Sequence, residues 1–398
     1  MPNGAITQNL SFLIANRGGF NYKPNLTSDK PVQWTLESVR DRLARQAKYE
    51  NAKFSTTDLN QLQVIVENGT LCLRRRAGIQ DGKVVWSQAL PLHEDAWSQL
   101  YSMTVTGIKP ASAGIMGVKP KGRDGMGVVN TLVQSLNSND PVSVAAAQTA
   151  LAFVNMLLMS AGAKSVNLHH KNRRINNVDF RFICAITSTT YVRLSHANYV
   201  TSLLDVPEFR DKAVVDFRTD DRRLYLRCLL DNVENIETRV QYRTFDGWNG
   251  ETGHRSYGGA DGLFQYECLN GMGNYAQAER FSWAHVGSTS PGDRIRGQLG
   301  VILERGTRAQ AAMQAAQLRE ITDAMSVMEG ILNGNGFGDN AIKGVRNAML
   351  ESSTVLETSQ HGTLANIIDG MTRHAQEYAT IDTRESMERL AYKTLMTF

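Results

Sequence analysis

The sequence is poor in cysteine. Its four cysteines, Cys72, Cys184, Cys228 and Cys268, lie at least 40 residues apart. No Cys-x-x-Cys pair is present to build a zinc or redox site, and the chain is too long for a disulfide scaffold with so few cysteines. We therefore expect buried free thiols in a reducing compartment.

The sequence also lacks the short motifs of common enzymes. It contains no GxxxxGK[ST] phosphate loop, no HExxH and no GxSxG. The glycine-rich stretch Gly122–Gly127 does not clearly join a strand to a helix, so we interpret it as a flexible loop. The chain is predicted not to be an enzyme and to need no cofactor and no metal. A nuclease-type enzyme with a dispersed site stays an open alternative.

No hydrophobic run has the composition expected of a membrane span. The most apolar stretch, Val142–Ala161, contains Gln148, Thr149 and Asn155, whereas a span needs ~20 predominantly apolar residues. Its apolar residues cover nearly all sides of a helix, which predicts a buried core helix. The N-terminus has no signal-peptide pattern, so a cytoplasmic protein is expected.

The patterns along the 398 residues predict an α+β fold in three parts. An N-terminal α/β portion covers residues 1–163 and includes a basic, flexible loop at 107–127. A β-rich middle covers residues 164–300, and a helical part covers 301–398. The helical part has 12 acidic and 9 basic residues, against a net charge of +4 for the whole chain, so it is a candidate protein-contact surface.

Several elements carry specific signals. A helix is predicted over Thr35–Tyr49, and a hairpin turns at Asn68-Gly69. Asp140 is placed to cap the next helix. Apolar residues at heptad spacing between Leu318 and Leu332 predict a further helix, and Asp382 and Glu385 can cap a last one.

The middle segment combines aromatic and basic residues. Between Phe180 and Trp283 lie 16 of the 30 aromatic residues, many of them next to an arginine. Lys164 to Arg193 holds six basic residues and one acidic residue. This mixture is typical of proteins that bind single-stranded nucleic acid, because cations follow the phosphates and aromatic faces stack on bases. A sheet with an aromatic core and salt-bridged arginines would have a similar composition.

Strand alternation selects among these residues. It puts Tyr225 on one face with Arg223 and Arg227, which we predict to be a basic, solvated face. The same alternation turns Phe180 and Phe182 towards the core. The run His169–Arg174 is predicted to be a loop that clamps phosphate, and Arg74–Arg76 to extend the same surface. The predicted nucleic-acid contacts are Lys109, Lys119, Lys121, Arg123, Lys171, Arg173, Arg174, Arg181, Arg193, Arg223, Tyr225 and Arg227.

Parts of residues 165–300 resemble a family of uncharacterised phage- and plasmid-encoded proteins. The resemblance rests on Phe182–His196, on Asn249-Gly-Glu-Thr-Gly253, on Tyr266–Met272 and on Ser282–His285. The family usually has serine where this chain has Gly250, and it offers no secure catalytic residues to transfer. The size and layout are also similar to the single-stranded-DNA-binding transcription activators of N4-like phages. That resemblance implies a protein of the host cytoplasm that holds melted promoter DNA and recruits the phage RNA polymerase.

The favoured hypothesis is a single-stranded-DNA-binding phage protein that acts in transcription or replication. A single-strand annealing recombination protein would use the same surface but would require oligomers. The nuclease alternative predicts metal-dependent degradation of DNA. A purely structural or host-interaction protein has no specific signal in the sequence.

Overall fold

The computed structural model confirms the α+β class. It describes residues 20–22, 34–67, 70–93, 96–97, 99–100, 103, 135–136, 138–175, 178–219, 223–231, 241–252, 256–265, 270–273, 281–285, 287, 290–352, 361–375 and 381–398. The predicted loop at 107–127, the turn at Asn68-Gly69 and Cys268 lie outside these residues. Cys72, Cys184 and Cys228 are buried free thiols, as expected.

The largest sheet is antiparallel throughout. Its strands follow the order β1-β10-β11-β12-β13-β14, with β2 beside β10 and β15 beside β13. The strand bounds are β1 Phe20–Tyr22, β2 Trp34–Thr35, β10 Ala213–Thr219, β11 Leu224–Leu229, β12 Gln241–Asn249, β13 Tyr257–Gln265, β14 Asn270–Gly273 and β15 Phe281–Trp283.

Two smaller sheets lie beside a long helix. One has the order β3-β8-β9, and the other has β4-β5-β6 with β7 beside β5. The bounds are β3 Lys53–Asp58, β4 Leu62–Glu67, β5 Thr70–Gln80, β6 Lys83–Trp86, β7 Leu90–Pro91, β8 Ser165–Ile175 and β9 Val178–Ser188. The pairing of β3 with β8 crosses the boundary predicted at residue 163. The segment His169–Arg174, predicted to be a loop, is part of β8, because all of it pairs with β9 and its first two residues also pair with β3.

Helices cover both faces of the large sheet. Their bounds are α1 Leu36–Glu50, α2 Pro141–Ser160, α3 His196–Leu204, α4 Pro291–Leu318, α5 Ala324–Gly334, α6 Asp339–Ser352, α7 Leu364–Ala375 and α8 Ile381–Thr397. One core joins α1, α3 and the start of α4 to the sheet through residues such as Val39, Tyr199 and Phe217. A second core packs Leu263 of β13 against the C-terminal helices. The C-terminal helices therefore contribute to the core of the large sheet.

The helix predicted to run through the heptad residues is interrupted. α4 ends at Leu318, Arg319 is extended, and a two-residue strand, β16 Glu320–Ile321, pairs with β17 Gly362–Thr363 before α5 begins. Met328 and Leu332 are buried in the C-terminal core, whereas Leu318 is exposed. The heptad spacing correctly predicted which residues of α5 are buried. It wrongly predicted that the helix would run without interruption from Leu318 to Leu332.

The long apolar helix α2 is capped as predicted but is not buried on all sides. The Asp140 side chain accepts hydrogen bonds from the amides of Val142 and Ser143. Val154 and Leu158 pack on the small sheets, yet only 22% of the most apolar 18-residue window of the helix is buried. It is the one helix among the described residues that is long and apolar enough to cross a membrane by length and composition. The prediction of an all-round core helix was wrong, because one face alone is covered by β4 and its neighbours.

Candidate nucleic-acid interface

Three arginines from two different sheets line one pocket. Arg74 and Arg75 belong to β5, and Arg181 belongs to β9. A parallel bridge between Leu92 and Ile183 brings the two sheets together. The pocket has a volume of about 300 Å³, and we call it the basic pocket. Its lining residues are Ser55, Leu62, Leu73, Arg74, Arg75, Ser87, Gln88, Leu90, Leu168, His170, Arg181 and Ile183.

The charge of the basic pocket is not balanced locally. None of its lining residues is acidic, and within the described part of the chain no carboxylate pairs with Arg74, Arg75 or Arg181. Arg75 and Arg181 are exposed. Such a concentration of unbalanced guanidinium groups attracts anions, and arginine favours phosphate because its planar fork matches two phosphate oxygens.

Arg74 is held in place by neutral neighbours. Its Nε donates to Gln63 Oε1 at 2.8 Å, and its guanidinium carbon lies 4.8 Å from the centroid of the Trp86 ring. A cation over an aromatic face keeps its full charge. Arg74 therefore contributes a positioned cation rather than half of an ion pair.

His170 forms part of the pocket lining and is only 7% exposed. The β8–β9 register shifts between His169 and His170, and bulges of this kind redirect side chains. The Nε2 atom of His170 lies 3.0 Å from Ser55 Oγ, while its Nδ1 atom has no hydrogen-bond partner among the described residues. Burial, followed by the charges of Arg181 and Arg75, lowers the pKa of His170 to about 4. The imidazole is therefore neutral at physiological pH.

β3 carries an exposed cation and an exposed aromatic ring on opposite faces. Lys53 pairs directly with His170 in the β3–β8 ladder, so both side chains point to the same face of the sheet. Phe54, the next residue, is 64% exposed and points to the other face, where its ring centroid lies 6.3 Å from that of His169. Neither residue was among the sequence predictions. The signal that could have found them is the Lys-Phe pair that begins β3.

Two of the predicted contact residues are buried instead in the large sheet. Tyr225 is 2% exposed and Arg227 is 0% exposed, so neither lies on a solvated face. Arg227 forms a bidentate pair with Asp246, at 2.8 and 2.6 Å, and also donates to Glu388 of α8 at 3.0 Å. Burial opposes the charge of Arg227, but Asp246 above all keeps the pKa of Arg227 well above its usual value.

The surrounding charges form a ladder across three strands. Asp216 of β10 and Asp246 of β12 lie opposite Arg227 on either side. Arg384 of α8 donates to Asp216 at 2.7 Å and to Glu388 at 2.6 Å. We call Asp216, Arg218, Arg227, Asp246, Arg384 and Glu388 the arginine ladder. It joins the sheet to the last helix, and all six of its side chains are buried, so its cations are not accessible to DNA.

Lys171 and Arg193, also predicted contacts, pair with Glu251. Lys171 is 2% exposed and lies 2.9 Å from Glu50 and 3.5 Å from Glu251, and Arg193 donates to Glu251 as well. Burial favours the neutral carboxyl, but Lys171 and its neighbours keep the pKa of Glu251 well below its usual range. Glu251 likewise helps to raise the pKa of Lys171 against the effect of burial. Both groups stay ionised near neutral pH, which makes them poor general acids or bases.

The remaining predicted residues divide into three groups. Arg181 lines the basic pocket and is exposed, so it is accessible to a ligand. Arg223 is half-buried. Arg173 and Arg174 have backbone positions on β8, but their side chains lie outside the described residues. Lys109, Lys119, Lys121 and Arg123 lie outside them entirely. Phe182 is buried as predicted, and Phe180 is half-buried.

The described residues contain no group of three or more His, Cys, Asp or Glu side chains that could hold a metal ion. Comparison of the chain with protein-family models, with curated proteins and with solved structures finds no match. The argument for function therefore rests on the site itself.

Proposed function

We propose that the chain binds single-stranded DNA through the basic pocket and the neighbouring edge strand β3. One observation supports this most strongly. Arg74, Arg75 and Arg181, the last more than 100 residues from the other two in sequence, line a single pocket without a carboxylate partner among the described residues. Structural arginines in this protein are paired, as Arg227 and Arg384 are. Arginines gathered in one place without carboxylates create a positive potential that attracts a polyanion.

The edge strand β3 favours a single strand over a duplex. Phe54 offers an exposed ring on the face opposite the Lys53 cation, and unstacked bases can lie on such a ring. Stacking on an aromatic side chain contributes about 1–3 kcal/mol per base and requires no particular sequence. The bases of a duplex are already stacked on one another and cannot use the ring in this way. Phosphates would contact Arg75 and Arg181 on one face of the sheet, and a flexible single strand that passes round the edge strand β3 would place a base on Phe54.

Fluorescence anisotropy with a labelled oligonucleotide, at several salt concentrations, tests the proposal. Single-stranded DNA should bind more tightly than duplex DNA, and a single-stranded RNA of the same sequence serves as a comparison. The double variant R75Q/R181Q should reduce the slope of log affinity against log salt by about 0.7 for each phosphate that the protein no longer neutralises. R308Q is the matched control, because Arg308 is an exposed arginine of α4 paired with Glu304. Equal salt slopes for the wild type, R75Q/R181Q and R308Q would refute the assignment of the pocket.

The biological role stays a prediction. Holding DNA open for a phage RNA polymerase, or acting in replication, follows from the resemblance of the sequence and not from the pocket. DNA binding in the absence of any partner would be compatible with either role. Light scattering in the presence of DNA distinguishes these two roles from single-strand annealing, because annealing requires the protein to form oligomers.

A further inference from the structure

Part of the lining of the basic pocket is apolar. Leu62, Leu73, Leu90, Leu168 and Ile183 form this part, whereas the arginines contribute the charge. Its volume of about 300 Å³ lies at the lower end of the range for small-molecule sites, ~300–1,000 Å³. A pocket of this size can hold a single phosphate together with its sugar.

The charge of the pocket also favours the end of a strand. An internal phosphodiester carries one negative charge on two unesterified oxygens. A terminal phosphate monoester carries about −1.5 to −2 charges at pH 7 and presents three acceptor oxygens. Arg74, Arg75 and Arg181 bring three positive charges, and no lining residue is a carboxylate. The monoester therefore balances more of this charge and accepts more of the available N–H donors.

A buried polar group in the pocket lining also lacks a partner among the described residues. His170 is 7% exposed and lines the pocket, and its Nδ1 atom makes no hydrogen bond within this part of the chain. A buried polar atom without a partner is costly and is uncommon in folded proteins unless a ligand or water completes it. Among the charged groups that face His170, Lys53 comes from β3, Arg75 from β5 and Arg181 from β9. All three are cations, so a dianion beside them would also favour a protonated His170.

We propose that the basic pocket binds the terminal phosphate monoester of a nucleic-acid strand. This inference rests on the proposed function and narrows it to strand ends. Arg75 and Arg181 hold the phosphate oxygens, Arg74 is fixed by Gln63 and Trp86, and the sugar lies against the apolar part of the lining. The strand then leaves past Lys53 of β3, on the face of the sheet that carries His170.

The test compares oligonucleotides of one sequence that carry a 5′-phosphate, a 3′-phosphate or hydroxyls at both ends. A hydroxyl-ended oligonucleotide, lengthened until its total charge matches, controls for charge alone. One phosphorylated end should increase affinity by about tenfold or more over both hydroxyl-ended forms, as charge-assisted hydrogen bonds do. R181Q should abolish this preference while R308Q keeps it.

The possible results separate the two proposals. Equal affinity for all the oligonucleotides would overturn the strand-end assignment and leave single-stranded DNA binding standing. No binding of any oligonucleotide would overturn both. A preference that persists in R181Q and R75Q would show that the monoester binds elsewhere, which also overturns the assignment. Arg75 and Arg181 are exposed, so neither substitution removes a core contact.

Discussion

Replacement of Arg227 by methionine separates a structural arginine from a DNA contact. Arg227 is completely buried, and its guanidinium donates two hydrogen bonds to Asp246 and one to Glu388. In R227M, Asp246 keeps the hydroxyls of Thr244 and Tyr225 but no longer has its bidentate cation. Glu388 keeps Arg384. Most of the loss of stability therefore comes from Asp246, because this carboxylate is 0% exposed and loses its counterion.

Breaking a buried ion pair by removing one partner costs about 3–5 kcal/mol, because the remaining charge is desolvated without its counterion. We expect R227M to reduce the free energy of unfolding by that amount. The double variant R227M/D246N removes both charges and should be less destabilised than the sum of its single variants. R308Q breaks an exposed pair, whose contribution is about 0–1 kcal/mol, and serves as the control.

Urea denaturation followed by tryptophan fluorescence measures these differences. Trp248 packs against Tyr225 and is almost fully buried, so it reports on this region. Under native conditions, the DNA affinity of the folded R227M protein should equal that of the wild type. The reasoning is refuted if R227M unfolds like the wild type yet binds DNA more weakly. That result would restore Arg227 to the exposed face that strand alternation alone predicted.

Two further predictions concern acid and truncation. Burial is the main cause that lowers the pKa of His169 and of His170 from 6.5 to about 4, so the unfolded chain takes up these protons first. The stability that depends on these two histidines should be fully present above pH 6.5 and should fall as the pH drops towards 4. Over the same pH range, the urea midpoint of H169Q/H170Q should change less than that of the wild type. An equally steep change in the variant would contradict the burial of the two rings. Truncation after Gly297 should prevent cooperative folding, because it removes Arg384, Glu388 and the helices that cover Leu263. A soluble, cooperatively unfolding fragment in circular dichroism would show instead that these helices form a separate domain.

Local signals in the sequence predicted local structure well. The alternation around residues 61–74 predicted a hairpin, and β4 and β5 pair from Glu67 with Thr70 outwards. Asp140 caps α2, and Gly162 adopts the left-handed conformation expected after a helix. Met387 and Leu395 lie in the C-terminal core, as the last predicted helix required. Caps and turns depend on a few neighbouring residues, which explains why they can be predicted from one sequence.

The error at Tyr225 had a different origin. Alternation correctly put Tyr225 and Arg227 on one face and Leu224 on the other, but it could not say which face is solvated. Both faces of β11 are covered, one by the α1 and α3 core and the other by α8. The sequence did contain a warning. Asp216 lies between Val215 and Phe217, and Asp246 follows Phe245, and a carboxylate that is buried among such residues requires a cation nearby.

The same reasoning explains why composition alone included buried arginines among the candidate contacts. Arginines become structural where neighbouring strands supply carboxylates, as Asp216 and Asp246 do for Arg227. They stay exposed where the described neighbours supply no carboxylate, as for Arg75 and Arg181. The bridge between Leu92, just after β7, and Ile183 of β9 that gathers the second group is long-range, so no window of sequence contains it. A basic segment therefore indicates a polyanion site only where its arginines are not paired with buried carboxylates. Arg227, beside Tyr225, is paired in this way, so the candidate site lies at the basic pocket instead.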